Sequence, residues 1–565
     1  MALSIIFSIV IQNNVLTYKT NLLMAKKKFF YAIKRIIHRT ENSSSFVYFI
    51  VTFFSIITLR NFLEIFLNYC HAERYLLNFN TIFQYTCCYI SMAGSLIILF
   101  HIATKEKIEK IVRIVLPTFF LLILVPVIDF IFCPYFGIRC QQAFLFPSQA
   151  EDLFIKFITF FGNFENTINW PLINNHAIHP TAVAPICRFN IIGITPGIRI
   201  QVCLVLVFSF FYFFIKRNNI IRSLIFVFLT YIVIFFYYSL PYFLFIFMLK
   251  FNIPPLVSSL LLQKIYLSFM FILGIWLFFL YNKKYSIEIL KDIRPLRLLY
   301  CIIMFIMGIV VTTTVHHVYK GYLFPCNIFD LMFIGIAISF SLLFSIITNN
   351  LEDIESDKIT NPERPSITNT IPHDHYRIIA WICLFLAFVY SVAVNFVSFF
   401  LILVFTGNYF LYSMPPLRLK MVPIISKFIL ALNSIVLLLL GSMFVAGKVT
   451  IPREIIVYLL ILFTATYNFI DIKDYEGDKK AGIMTLPVIL GQTKSKFVIG
   501  LSFLLLYPSA YFILKDVKVL LFSLILGILQ FFFLIKKRYN EKPVIIIYTI
   551  SVVLFIYYFV RLTRT

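Results

Sequence analysis

The stretch that decides the fold runs from Asp330 to Pro365 and reads DLMFIGIAISFSLLFSIITNNLEDIESDKITNPERP. Between Asp330 and Glu352 it carries no charge. Five acids then follow in quick succession: Glu352, Asp353, Glu355, Asp357 and Glu363. A bilayer core about 30 Å thick needs roughly 20 apolar residues per helix, so the first part reads as a membrane-spanning helix. Its end opens abruptly onto carboxylates, and that junction asks for a chemical reason.

Working outward, the rest of the chain repeats the apolar half of this pattern. It has 565 residues, of which 61% are hydrophobic and 13% charged, and its mean hydropathy is +0.92. Too little polar surface remains to cover a soluble core of that size. The expected class is an all-α, polytopic membrane protein. Six spans are expected in the first half, over roughly 45–67, 82–103, 112–133, 201–216, 223–250 and 257–281. Nine are expected in the second, over roughly 299–319, 327–348, 376–395, 396–413, 427–446, 453–470, 496–514, 518–535 and 543–560. The polar segment NKKYSIEILKDIRPLRLLY marks the boundary. The expected organisation is a basic N-terminal extension over 1–44, a membrane domain over 45–284 and a second membrane domain over 285–565. The first residues, MALSIIFSIVIQNNVL, lack a basic start and a cleavage site, and read as an extension rather than a signal peptide.

The formal charge of +24 does not point to nucleic acid, because the basic residues sit in short runs between apolar segments. The segment KKKFFYAIKRIIHR is basic and amphipathic and suits the cytoplasmic membrane surface. With it placed inside, the loops after Thr348, Tyr412 and Ile470 all fall inside too. Ten cysteines show no CxxC spacing, so no zinc site is expected. Cys133, Cys140 and Cys187 share one long loop in which a disulfide is conceivable.

The acids are unevenly placed. Nine of the 25 fall within 349–365 and 467–482, the second group being Asp471, Asp474, Glu476 and Asp478. Asn349, Asp353 and Asp357 are spaced i, i+4, i+8, which keeps them on one helix face with a drift of about 40° per step. Asp471, Asp474 and Asp478 are spaced i, i+3, i+7, again one face. Crowded carboxylates repel unless a cation neutralises them. Oxygen-only ligands suit Mg²⁺, which binds through a few carboxylates plus substrate phosphates. Asn349, Asp353, Asp357, Asp471, Asp474 and Asp478 are therefore the candidate metal ligands, with the five Asp residues as catalytic candidates. Arg364 in NPERP, and Tyr412, Arg418 and Lys420 in YSMPPLRLK, are candidates for binding a diphosphate. Solvated loops are the bland alternative for either stretch taken alone.

At these residues the sequence resembles the UbiA family of intramembrane prenyltransferases. The resemblance rests on NxxxDxxxD at Asn349, Asp353 and Asp357, and on NPxRP at Asn361, Pro362, Arg364 and Pro365. DxxDxxxD at Asp471, Asp474 and Asp478 adds to it, with the tail Gly482, Thr485, Leu486, Pro487 and Gly491. IRPLR at Ile293–Arg297 is similar to the start of the family's first helix. The resemblance covers about 285–565 and implies nine helices around a central cavity. It further implies Mg²⁺-dependent transfer of a prenyl group from an isoprenyl diphosphate to an aromatic or hydroxyl acceptor, small or lipid-borne, within the membrane. Which acceptor and which chain length stay open. The first half resembles no family; Asp129 and the glycines of GITPGIRIQV stand out there, as an intramembrane acid and as a turn suited to a headgroup. The competing class is a transporter using the acidic helix ends as a divalent-cation path. It predicts acids along the spans, whereas these gather at their ends.

Overall fold

The structure is a computed structural model that describes residues 28, 31–42, 46–67, 79–135, 139–142, 152–161, 190–251, 259–316 and 325–564. Among the described residues, 14 helices are long and apolar enough to cross a membrane, five before Asn282 and nine after it. The chain separates into two compact units, Met1–Asn282 and Lys283–Thr565. The apolar N-terminal stretch and Cys187 lie outside the described residues, and the candidate disulfide with them.

The first unit contains α1 (Phe46–Leu67), α2 (Phe79–Thr104), α3 (Ile108–Thr118), α4 (Leu121–Tyr135), α5 (Pro196–Arg217), α6 (Ile220–Lys250) and α7 (Ser259–Tyr281). The 22-residue α1 matches the first expected span, and α3 with α4 together make the third. The long loop is not wholly irregular: it holds a helix, Asp152–Ile158, and a parallel strand pair, β1 (Arg139–Gln142) with β2 (Asn190–Gly193). That pair is the one departure from an all-helical chain among the described residues.

Charge buried in this unit is matched locally. The helical segment 31–41 ends on Glu41, which is bound by Lys216 Nζ at 2.8 Å and by the Tyr212 hydroxyl at 3.1 Å. Lys216 also holds Glu106 at 2.9 Å. Arg60 pairs with Glu64 one turn along α1 and lies over the Tyr85 ring. Asp129 accepts the Gly197 N–H at 2.8 Å, at the first turn of α5, whose N-cap is Thr195. The GITPG turn thus meets α4. A Cβ on Gly197 would lie 2.5 Å from the Val125 carbonyl and 2.8 Å from Asp129 Oδ1, so only glycine permits this approach.

The second unit contains α8 (Lys283–Asp292), α9 (Pro295–His316), α10 (Pro325–Glu352), α11 (Ile354–Thr360), α12 (His373–Val392), α13 (Phe396–Ser413), α14 (Ile425–Ala446), α15 (Arg453–Thr466), α16 (Tyr475–Lys480), α17 (Gln492–Leu506), α18 (Val517–Ile535) and α19 (Glu541–Arg564). The nine long helices form a closed ring in chain order, α9–α10–α12–α13–α14–α15–α17–α18–α19, with α19 packed back on α9. Polar caps start several of them, as Asn395 does by accepting the Ser398 N–H at 2.7 Å. Gly447, at φ 65°, closes α14 in the left-handed conformation that glycine tolerates.

The ring is pinched on one side, where α9 and α14 cross at Gly308 and Gly441. A Cβ on either glycine would overlap the facing helix's carbonyl, the small-residue contact that lets membrane helices touch. Thr312 and Ser442 bond across the same crossing at 2.9 Å. The 28 residues of α10 rise about 42 Å, more than the thickness of a hydrocarbon core.

Candidate active site

The expected continuous acidic helix breaks at Asp353. Its backbone sits at φ −99°, ψ 22°, between α10 and α11, while the i→i+4 bonds Asp353 N–Asn349 O (3.0 Å) and Asp357 N–Asp353 O (2.8 Å) continue. The three side chains keep one face across the kink. The second stretch behaves similarly: a 3₁₀ turn over Tyr467–Ile472 runs into α16, with Asp474 N–Asp471 O at 3.1 Å and Asp478 N–Asp474 O at 2.8 Å.

The two stretches meet through a glycine. α11 packs directly on α16, and a Cβ on Gly477 would lie 2.6 Å from Ser356 Oγ and 2.8 Å from Thr360 Cγ2. Any larger residue would push the acidic helices apart.

Both face one cavity of about 1510 Å³, its open mouth included. Asn349, Asp353, Asp357, Arg364, Tyr412, Lys420, Asp471, Asp474 and Asp478 all line it. Arg418 does not; it approaches Asp353 from behind, at 3.2 Å, and holds the Glu352 carbonyl at 3.2 Å. Arg418 lies at φ 40°, and this left-handed turn brings both Arg418 and Lys420 back to Asp353. Deeper in, the lining turns aromatic, with Tyr300, Phe405, Tyr409, Tyr467, Phe469 and Tyr548.

The six candidate ligands do not form a single metal cluster. Among the described residues, no three His, Cys, Asp or Glu side chains converge at metal-ligand spacing. Protein cations pair with three of the five acids. Lys420 binds Asp353, Arg364 binds Asp357, and Lys427 binds Asp471 at 2.6 Å. Asn349 accepts a hydrogen bond from the Ser413 hydroxyl at 3.0 Å. Burial pushes the Asp357 carboxyl up, opposed by Arg364, and pulls the Lys420 ammonium down, opposed by Asp353.

One part of the site remains short of positive charge. Burial, and then the neighbouring Asp471 and Asp474, push Asp478 up to about 7. The Oδ2 of Asp471 is buried with no hydrogen-bond partner. Crowded oxygen donors with an orphaned carboxylate oxygen fit a hard divalent cation.

Several lining residues escaped the sequence reading. Lys427 is one; a lone lysine in the first turn of α14, directly before the apolar run FILALNSIVLLLLG, was itself a signal. Glu541, at the start of the last span, holds Arg297 at 3.0 Å and Lys473 at 2.5 Å. Arg294 and Arg297 were noted only as motif residues, yet both line the cavity. Behind Asn349, Asn350 donates to the Tyr376 hydroxyl at 3.1 Å and to Asp292 at 3.4 Å, tying the end of α10 to α8 and α12.

Residues 310–553 match the model of the UbiA prenyltransferase family. The second unit belongs to that family. Its UbiA-family segment includes both acidic stretches and the YSMPPLRLK element. Among similar curated proteins is a digeranylgeranylglyceryl phosphate synthase of Methanococcus aeolicus, 32% identical over 171 residues, covering 29% of this chain and 57% of the relative. Another, of the same name, from Pyrococcus horikoshii, is 26% identical over 170 residues, covering 30% and 59%. The chain thus spans a little over half the length of the curated relatives it matches. A solved UbiA homolog from Archaeoglobus fulgidus bound to DMAPP and Mg²⁺ aligns with TM-score 0.38 and 18% identity, over 49% of this chain and 99% of that one. The apolar helices and the UbiA-family segment make this chain a multi-pass integral membrane protein.

Proposed function

We propose that the second unit transfers a prenyl group from an isoprenyl diphosphate to the hydroxyl of a glycerol-phosphate lipid, releasing diphosphate. The observation that carries this reading is the convergence of two acidic helix ends on one cavity, packed together at Gly477 and backed by an aromatic interior. The names of the curated relatives favour a glycerol-phosphate lipid as acceptor over an aromatic ring.

Charge supports a metal. The lining holds six acids (Asp353, Asp357, Asp471, Asp474, Asp478, Glu541) against five bases (Arg294, Arg297, Arg364, Lys420, Lys427). A diphosphate adds further negative charge that the protein alone does not balance. Asp353 and Asp357 on one side, and Asp471, Asp474 and Asp478 on the other, would hold Mg²⁺, with Asn349 beside them. Bound Mg²⁺ would neutralise the diphosphate oxygens and make the diphosphate a better leaving group.

The chain's own groups do the rest. Arg364 and Lys420 face the diphosphate and stabilise charge that grows as the C1–O bond breaks. Arg418 positions Lys420 and Asp353 from behind. Tyr409, Tyr412 and Tyr467 present ring faces to the allylic cation forming at C1 and exclude water from it. The acceptor oxygen then bonds to C1 and its proton is released. The positive-inside pattern supports a cytoplasmic mouth for the cavity.

The test uses the purified full chain in lipid nanodiscs, with labelled geranylgeranyl diphosphate and geranylgeranylglyceryl phosphate. The expected result is Mg²⁺-dependent formation of the doubly prenylated lipid with equimolar diphosphate. Diphosphate release only with an aromatic acceptor would refute the acceptor; no release with any acceptor would refute the transfer.

A further inference from the structure

A basic helix is docked on the first unit by one buried acid. The helical segment 31–41 precedes α1 and ends on Glu41, the first acid in the chain, which follows seven Lys and Arg residues. Lys216 Nζ binds Glu41 at 2.8 Å and Glu106 at 2.9 Å, and Lys110 takes the other oxygen of Glu106 at 3.3 Å. Arg113 donates to the Glu41 carbonyl at 2.9 Å, satisfying an acceptor at the helix's C-terminal end. The last turn of the helix is thus tied to the end of α5 and to α3.

This docking leaves a cationic face uncovered. Ile33, Ile36 and Ile37 fall within about 100° of the helix, and Lys34, Arg35, His38 and Arg39 spread over about 140° of the other side. Ile37 is buried at 4% exposure, whereas Ile36 beside it is 64% exposed. Across residues 31–42, 105–113 and 216–222, six bases are exposed: Lys34, Arg35, Arg39, Lys105, Lys107 and Arg222. One exposed acid, Glu109, stands against them there, since Glu41 and Glu106 are engaged by Lys216 and Lys110.

We propose that this face of the first unit binds the headgroups of anionic lipids, with the helix 31–41 lying in the membrane interface and Lys34, Arg35 and Arg39 meeting the lipid phosphates. Charge complementarity and the exposed apolar edge argue together for a leaflet as the partner. The bases attract phosphate oxygens while Ile36 enters the acyl boundary. A soluble polyanion would meet the bases and leave Ile36 in water. The spans already hold the chain in the bilayer, so the lipid orders the helix and does not recruit the protein. Because Glu41 fixes one end, part of the ordering cost is met by the fold before lipid binds.

The experiment measures amide hydrogen exchange over 31–41 in the full chain, in nanodiscs of phosphatidylcholine alone and of phosphatidylcholine mixed with phosphatidylglycerol. The expected result is about tenfold slower exchange with phosphatidylglycerol, reversed near about 1 M salt, where charges are screened within about 3 Å. Lys34→Gln, Arg35→Gln and Arg39→Gln together should abolish the difference, with exchange in α2 unchanged as the sign of an intact bundle. Equal exchange in the two lipids would overturn the inference, and so would a difference that survives the triple substitution. Soluble glycerol phosphate slowing exchange as much in phosphatidylcholine would assign the face to a soluble anion instead. Glu41→Gln separates docking from lipid binding: it should speed exchange in phosphatidylcholine and leave the segment slow with phosphatidylglycerol. Fast exchange of that variant in both lipids would mean that the bundle alone holds the helix, and would refute the lipid site.

Discussion

The two units bury charge in opposite ways. In the first, the charges with described partners meet them directly: Arg60 with Glu64, Lys216 with Glu41 and Glu106, Asp129 with the Gly197 amide. In the second, acids and bases from separate helices face a common cavity, and one corner, around Asp478, is left without enough positive charge. Intramembrane charge is therefore not by itself the mark of a site. Convergence on a space, with an imbalance that a ligand would correct, is what separates the second unit from the first.

That contrast can be broken by substitution. The largest effect belongs to the converging acids. Asp353→Ala or Asp471→Ala is expected to lower diphosphate release by about 10²–10³-fold, the scale for losing one charge-stabilising group, with helicity by circular dichroism retained. Wild-type-like release in both variants would end the site assignment. An intermediate effect is expected where the acidic helices touch. Gly477→Ala forces α16 off Ser356 and Thr360 and should reduce release about tenfold, since small misplacements of reacting groups are costly. Pairing it with Ser356→Gly should recover part of the loss; no recovery would mean that Gly477 matters for another reason. The smallest effect belongs to the first unit. Replacing Arg60 and Glu64 together, by Met and Leu, swaps a matched ion pair for apolar side chains, which is often close to neutral for stability. Turnover per folded molecule should stay within about twofold of wild type, measured by active-site titration alongside the rate. A large drop in turnover would show that the pair serves the chemistry and that the contrast drawn here is wrong.

Much of this was legible in the chain because membrane helices write themselves in long apolar runs. The ends of α12, α13, α14 and α18 fall within a few residues of the spans expected from composition. The acidic stretches were legible because carboxylates are rare here and their spacing kept one face. What the sequence did not carry was pairing across helices. Lys427 sits 44 residues from Asp471, and Glu541 sits 244 from Arg297, so no local pattern joins them. The kink at Asp353 was hidden too, because its i→i+4 bonds continue through it. Nor did the spacing disclose that Lys420, Arg364 and Lys427 would each pair with one acid of the two stretches. The role of Gly197 depended on the packing of α4 against α5, and no turn signal announces that.

The central claim is that the two acidic helix ends hold one shared ligand. The direct measurement is a double-mutant cycle on Mg²⁺-dependent binding of geranylgeranyl diphosphate, by calorimetry on the full chain in nanodiscs, using Asp353→Ala, Asp471→Ala and the pair together. If the ligand is shared, each single substitution removes nearly as much binding as both do. Losses that simply add, or binding that survives either change, would contradict the account.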